Sequence, residues 1–355
     1  MNTSIKNEII PIFGFGYMRS GTTLLFNILK LHPDIFARKS EPRIIESLSI
    51  IRSTYSDLDD DKTLEDYVAY VANVIRFGLY RRYLGKPLQE DDEFTHEDQK
   101  RIITSVQERG YLSILDLIYN YFARKNGKKF WYSKCQVLYF DEIIKSMPEA
   151  VFIEIVRDPR AVLASKKTGK EAVWQNTRST LEQKQRKSLE KTYDPLWDTL
   201  SWKSEIKAGV EVKEKYRHKI FSIRYEDLVS EPESITNQLC NFLNINFYEK
   251  QLSVPKRNTS YKADKPSGIG TESINKWKAK LTPEEIVICQ GLTKKELKQL
   301  NYEHYDVEIP RYKVIQVIFK SFAEFFQRLY RRLKLGGKDY LSNIVRLYWR
   351  KFKKL

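Results

Sequence analysis

The stretch from Ile9 to Leu31 constrains this chain more than any other. An apolar run, Ile9–Phe15, leads into Gly16-Tyr-Met-Arg-Ser-Gly21-Thr22-Thr23. Thr22–Leu31 then places Leu24, Leu25, Ile28 and Leu29 at helical spacing. A buried strand, a loop with glycines at either end and a helix is the order in which backbone N–H groups close around an anion. The positive end of the helix dipole favours the bound charge. The rest of the chain keeps the alternation. Strands are expected at Lys129–Ser133, Val151–Val156 and Lys219–Ile223, with helices over 43–51, 64–84, 98–123, 139–147, 195–216 and 233–243. Thr282-Pro283-Glu284-Glu285 carries a capping-box signature for a late helix. The pattern predicts an α/β fold: a doubly wound, mainly parallel sheet with P-loop NTPase-like topology and helices on both faces.

The loop also lacks something. A loop that cleaves nucleoside triphosphates has Lys followed by Ser or Thr after its second glycine; here Thr22 and Thr23 stand there, and Arg19 is the nearest cation. No strand ends in an obvious magnesium-holding Asp. The loop is therefore built to bind a phosphate and poorly equipped to cleave a triphosphate. A second candidate anion site follows the Val151–Val156 strand, in Arg157-Asp158-Pro159-Arg160-Ala-Val-Leu-Ala-Ser165. Asp158 and Pro159 read as the cap and first turn of a helix. Arg160 reads as a first-turn residue or a structural ion pair. Arg157 at the strand end and Ser165 two turns along the helix can hold one phosphate through charge-assisted hydrogen bonds.

These two motifs resemble those of the sulfotransferases that use 3′-phosphoadenosine 5′-phosphosulfate (PAPS), of the carbohydrate- and tyrosyl-protein-directed type. Phe15–Leu25 is similar to the family's 5′-phosphosulfate loop, P-R-S-G-T-T-L-L, with Met18 in place of the usual proline. Arg157 and Ser165 match its 3′-phosphate pair. Arg224-Tyr225-Glu226-Asp227-Leu228 and the late segment Gly268–Trp277, followed by Leu281-Thr-Pro-Glu-Glu285, also resemble it. The resemblance implies PAPS as co-substrate without a metal, held by Arg19, Ser20, Gly21, Thr22, Thr23, Leu24, Arg157, Ser165, Tyr225 and Lys276. It implies Glu41, in Ser40-Glu41-Pro42-Arg43, as the base that takes the acceptor's proton. Lys134, at a strand end, and Arg19 would stabilise the developing charge. His96 is a second candidate for the base, whereas His32 reads as part of a helix-ending turn and Trp277 as a packing anchor. Residues 52–128 and 169–194 match nothing in the family pattern, and acceptor selection is expected there.

Charge and cysteine usage bound the remaining possibilities. The overall +16 is concentrated at one end: residues 311–355 hold 13 Lys/Arg against Glu324 and Asp339, a net +11. This divides the chain into a sulfotransferase domain over 1–310 and a basic amphipathic tail over 311–355. In the tail, Ile315, Ile318, Phe319, Phe322, Phe326, Leu329 and Leu333 form an apolar helical stripe. The stripe suits either an anionic membrane surface or packing on the domain or a second subunit. Three unpaired cysteines fit a reducing, cytoplasmic compartment, and no run of apolar residues is long enough to span a bilayer. The expected activity is transfer of a sulfuryl group to a hydroxyl or amine, on a carbohydrate or glycolipid acceptor, with nucleic acid not expected as a partner. The competing readings are a P-loop kinase or NTPase, and a non-enzymatic basic protein that binds membrane or nucleic acid.

Overall fold

The structure is a computed structural model. It describes residues 9–38, 43–78, 82–175, 193–255, 268–327 and 330, with side chains in the helix after residue 159 described as far as 168. Five strands, β1 (Ile10–Phe15), β2 (Ile35–Phe36), β3 (Phe130–Lys134), β4 (Val151–Val156) and β5 (Ile220–Arg224), form one sheet. Their order is β2-β3-β1-β4-β5, and every pairing is parallel. The chain runs outward from β1 to β2 on one side and later crosses to β4 on the other. This makes the carboxyl ends of β1 and β4 a topological switch point, where open α/β sheets hold their ligands.

Each strand turns alternate residues to opposite faces, and both faces are covered. Phe13, Trp131 and Phe152 look toward a large core built with the helices Leu48–Thr54, Asp61–Phe77, Tyr111–Lys125 and Phe140–Ser146. Ile12, Tyr132 and Ile153 look the other way, toward α1 (Thr22–Lys30) and the helices Tyr225–Ser230 and Pro232–Phe242. Burial on both sides explains why the central strands read as largely apolar runs, in which the buried Glu154 of β4 is held by Lys213 and Ser222.

Several elements differ from the expectation. The helical pattern over 98–123 is broken into His96–Ser105 and Tyr111–Lys125. The connection ends at Gly110, the extended cap of the second helix, and in it Arg109 pairs with Asp61 at 2.6 Å and donates to the Leu58 carbonyl at 3.3 Å. The helix expected over 64–84 spans Asp61–Phe77 and stops at Gly78, whose φ of 80° is a left-handed cap. The helix expected over 43–51 is a 3₁₀ turn, Ile45–Ser47, followed by an α-helix from Leu48. Thr282 and Glu285 do form the capping box of the Pro283–Leu292 helix. The helix begun by Pro159 continues to Gln175, while 176–192, within the segment expected to select the acceptor, lie outside the described residues.

Candidate active site

The phosphate loop is clamped against its neighbours by the absence of side chains. Gly16 has a φ of 153°, and a Cβ there would lie 2.3 Å from the Ile155 carbonyl oxygen of β4. Gly21 has a φ of 104°, and a Cβ there would lie 2.5 Å from the Tyr225 ring. Only glycine gives both the backbone angle and the close approach. Arg19 also adopts a left-handed conformation, with a φ of 67°, an uncommon state for a residue with a side chain. The first turn of α1 contains no acidic residue, and Gly21 offers no capping side chain. The positive end of the helix is thus left for an outside anion. Ser20 is buried, and its hydroxyl has no hydrogen-bond partner among the described residues. Thr22 is buried, Leu24 half-buried and Thr23 exposed.

The second motif meets this loop directly. Arg157, buried at the end of β4, donates from Nη1 to the Arg19 carbonyl at 3.0 Å and from Nη2 to the Ser273 carbonyl at 3.1 Å. Arg19 Nε donates to Ser165 Oγ at 3.0 Å. The Arg157 guanidinium lies 4.1 Å from the centre of the Tyr225 ring, and the Tyr225 hydroxyl shares a 2.7 Å hydrogen bond with Ser273 Oγ. Arg157 Nε has no partner among the described residues. A buried, orphaned N–H and a buried, orphaned hydroxyl beside an uncapped helix are polar groups that an anionic ligand would satisfy. Tyr225 is at once packing for Gly21 and a ring face beside the arginine. Lys276 follows Ser273 by three residues; burial lowers its pKa, partly offset by Glu272.

Lys134 ends β3 opposite Gly14 of β1, one strand from the loop. Its ammonium lies 3.2 Å from Glu46 Oε1, with both side chains less than a fifth exposed. Glu46 also faces Arg43 at 3.7 Å. Nothing in the linear sequence joins positions 46 and 134. The only signal was an acid three residues after Arg43 in a helical pattern, and the pairing arises from the sheet. Glu41 lies outside the described residues. Glu46 and Glu205 both act electrostatically on the buried Cys135 next to Lys134; burial is the main cause that holds its thiol well above the usual range.

Asp158, Arg160, Trp277 and His32 have structural contacts. Asp158 caps its helix by accepting from the Arg160 N–H at 2.8 Å. Arg160 is buried between Asp158, Gln290 and the face of Trp277, which is itself a packing anchor. His32 accepts from the Asp34 N–H at Nδ1, which makes Nε2 the donor to the Asn246 carbonyl at 2.9 Å. His96 is exposed beside Glu90, and no described contact links it to the phosphate loop. No group of three or more His, Cys, Asp and Glu side chains among the described residues could hold a metal ion.

A parallel five-stranded sheet with a glycine loop and a buried arginine at its switch point is a P-loop-like α/β architecture. The family model described as the sulfotransferase family matches residues 11–249, and the chain belongs to that family. Among solved structures, it is similar to the sulfotransferase domain from the curacin biosynthetic pathway. The identity is 16%, the TM-score 0.50, and the match covers 84% of this chain and 99% of that one. It is similar also to the sulfotransferase domain of the olefin synthase from Synechococcus PCC 7002, at 17% identity and a TM-score of 0.49, covering 84% and 97%. A retinol dehydratase in complex with androsterone and the inactive cofactor PAP matches at 14% identity and a TM-score of 0.38, covering 86% and 84%. At such identities the likeness is one of fold. No curated protein sequence matches the chain.

Proposed function

We propose that this sulfotransferase moves the sulfuryl group of PAPS to a hydroxyl or amine of a carbohydrate or glycolipid acceptor. Adenosine 3′,5′-bisphosphate and the acceptor's proton are released. The reading is carried by one observation: Arg157 and Ser165, from the β4 motif, both bond to Arg19 of the β1 loop. Charges far apart in sequence are thereby gathered where an adenosine carrying phosphates at two positions would need them. The N-terminal N–H groups of α1, with Ser20, Thr22, Thr23 and Leu24, would hold the 5′ side. Arg157 and Ser165 would hold the 3′-phosphate, Tyr225 would lie beside the nucleoside, and Lys276 would supply a further cation.

The chemistry asks for an in-line acceptor, removal of its proton and stabilisation of charge on the leaving phosphate oxygen. Glu41 is assigned the proton, and Lys134 and Arg19 the leaving oxygen. The free, buried state of all three cysteines supports a reducing, cytoplasmic setting. The basic region 311–355 supports attachment at a membrane surface.

Titration calorimetry tests the donor assignment. Adenosine 3′,5′-bisphosphate is expected to bind at least tenfold more tightly than AMP, and Arg157→Ala to erase that difference; equal binding of both nucleotides by the wild type overturns the reading. Sulfate-labelled PAPS incubated with lysate fractions, wild type against Glu41→Ala, then identifies the acceptor class. Label appearing equally with both proteins removes Glu41 as the base.

A further inference from the structure

The helix over 311–327 has two faces of opposite fate. One is docked. Ser321 is buried, and its carbonyl accepts from Trp197 Nε1 at 3.3 Å. The ring of Phe325 lies 4.7 Å from the Trp197 ring, and Phe322, at the border of the two faces, touches the same indole edge-on at 5.4 Å while staying 41% exposed. Val314, Val317, Ile318 and Phe325 are half-buried along the same side. The other face carries Ile315, Phe319, Phe322 and Phe326 at successive spacings of four, three and four residues. They are 50, 71, 41 and 61% exposed, and Tyr312 and Tyr330 extend the row at either end. This row holds six of the twelve large hydrophobic side chains exposed among the described residues. It is a patch rather than the usual scatter.

An amphipathic helix that served only to close its own domain would turn its aromatic side inward. This one is fixed by a narrower edge and presents the aromatic side to the surroundings. Arg311, Lys313 and Lys320 are exposed on the same helix, within a region of net +11. A second copy of the chain would bring that charge against its like. A nucleic acid would satisfy the lysines but leave aliphatic and phenyl groups uncovered. No helix among the described residues is long and apolar enough to cross a membrane. We propose that this helix is an interfacial anchor that lies flat on an anionic bilayer, with Ile315, Phe319, Phe322 and Phe326 at the acyl boundary and the basic residues among the headgroups. The proposal deepens the membrane attachment read above, by assigning it to insertion of one helix face rather than to charge alone. It is independent of the donor assignment.

The test is co-sedimentation of the full chain with phosphatidylcholine vesicles, with and without phosphatidylglycerol. The wild type is expected to bind the anionic vesicles and to bind neutral ones far less. The double variant Phe319→Ser, Phe326→Ser keeps the charge and alters only exposed positions, so its melting temperature is expected to be unchanged. Its partitioning should fall on the order of tenfold or more. Lys313→Gln with Lys320→Gln should weaken binding less and in a salt-dependent way. If the double Phe variant binds like the wild type and salt releases both, attachment by charge stands and the inserted row is refuted. If the wild type ignores anionic vesicles, both readings fail. If it is instead a dimer in solution that the Phe variant dissociates, the occupant is a second copy and the proposal is overturned.

Discussion

Lys134 is held, not loose. Its partner Glu46 is 3.2 Å away and as poorly exposed as the lysine itself, so the carboxylate fixes the ammonium at the end of β3 while reducing the field it presents. The two roles make distinguishable demands. Lys134→Ala is expected to lower kcat by about 10²–10³, the usual cost of losing one preorganised charge contact to a transition state. Binding of adenosine 3′,5′-bisphosphate, which lacks the sulfuryl group, should hardly move. Glu46→Gln keeps the shape and removes the charge. If Glu46 positions Lys134, kcat should fall several-fold, again with little effect on the bisphosphate, and Glu46→Asp should restore part of it. Single-turnover rates and calorimetry on the three variants separate these outcomes. Equal losses of nucleotide affinity in all of them would make the pair a scaffold for the loop instead.

The contact between the Tyr111–Lys125 helix and β3 contains a titrating joint. Asp116 accepts from Trp131 Nε1 at 3.1 Å and from Asn120 Nδ2 at 2.9 Å. Burial, the largest cause, raises its pKa to about 6. The folded state therefore holds this proton more tightly than the unfolded chain. Its ionisation opposes folding, with no effect below the unfolded pKa near 4 and the full cost above about pH 6. Two pKa units correspond to about 3 kcal/mol as an upper figure. Asp116→Asn is expected to flatten the fall in melting temperature between pH 4 and 6, measured by calorimetry across that range; an unchanged slope would assign the fall to other groups. Elements of this kind were legible where a segment's own residues decide its state. Val151–Val156 and Pro195–Tyr216 could be read residue by residue, because the first is apolar at every position but Glu154 and the second carries its own Asp194 cap and proline start. The two-residue β2 was not, since it owes its state to pairing with β3. The break after Ser105 ends at Gly110, the extended cap of the next helix, a local signal that the long apolar pattern obscures. The candidate site divides in the same way. The glycine loop and the Arg157 motif are local patterns, whereas Glu46 became visible only when the Ile45–Ser47 turn met the end of β3.

At the scale of the whole molecule, two cores sandwich one sheet, and the helix over 311–327 meets Trp197 through Ser321, Phe322 and Phe325. Nucleotide binding should therefore survive removal of residues 311–355, checked by calorimetry on the shortened chain. Trp197→Ala should speed proteolysis within 311–330 while leaving the main unfolding transition within a few degrees. Loss of nucleotide affinity on truncation would mean that the tail is part of the donor site. The Pro195–Tyr216 helix carries a second indole five residues on, where Trp202 donates to the Arg157 carbonyl at 3.1 Å and is fully buried. One stiff rod thus bears two pegs, one seated under the helix over 311–327 and the other in the floor beneath the buried Arg157. Five residues of α-helix, about 7.5 Å, are all that separate the protein's basic margin from its anion-facing floor.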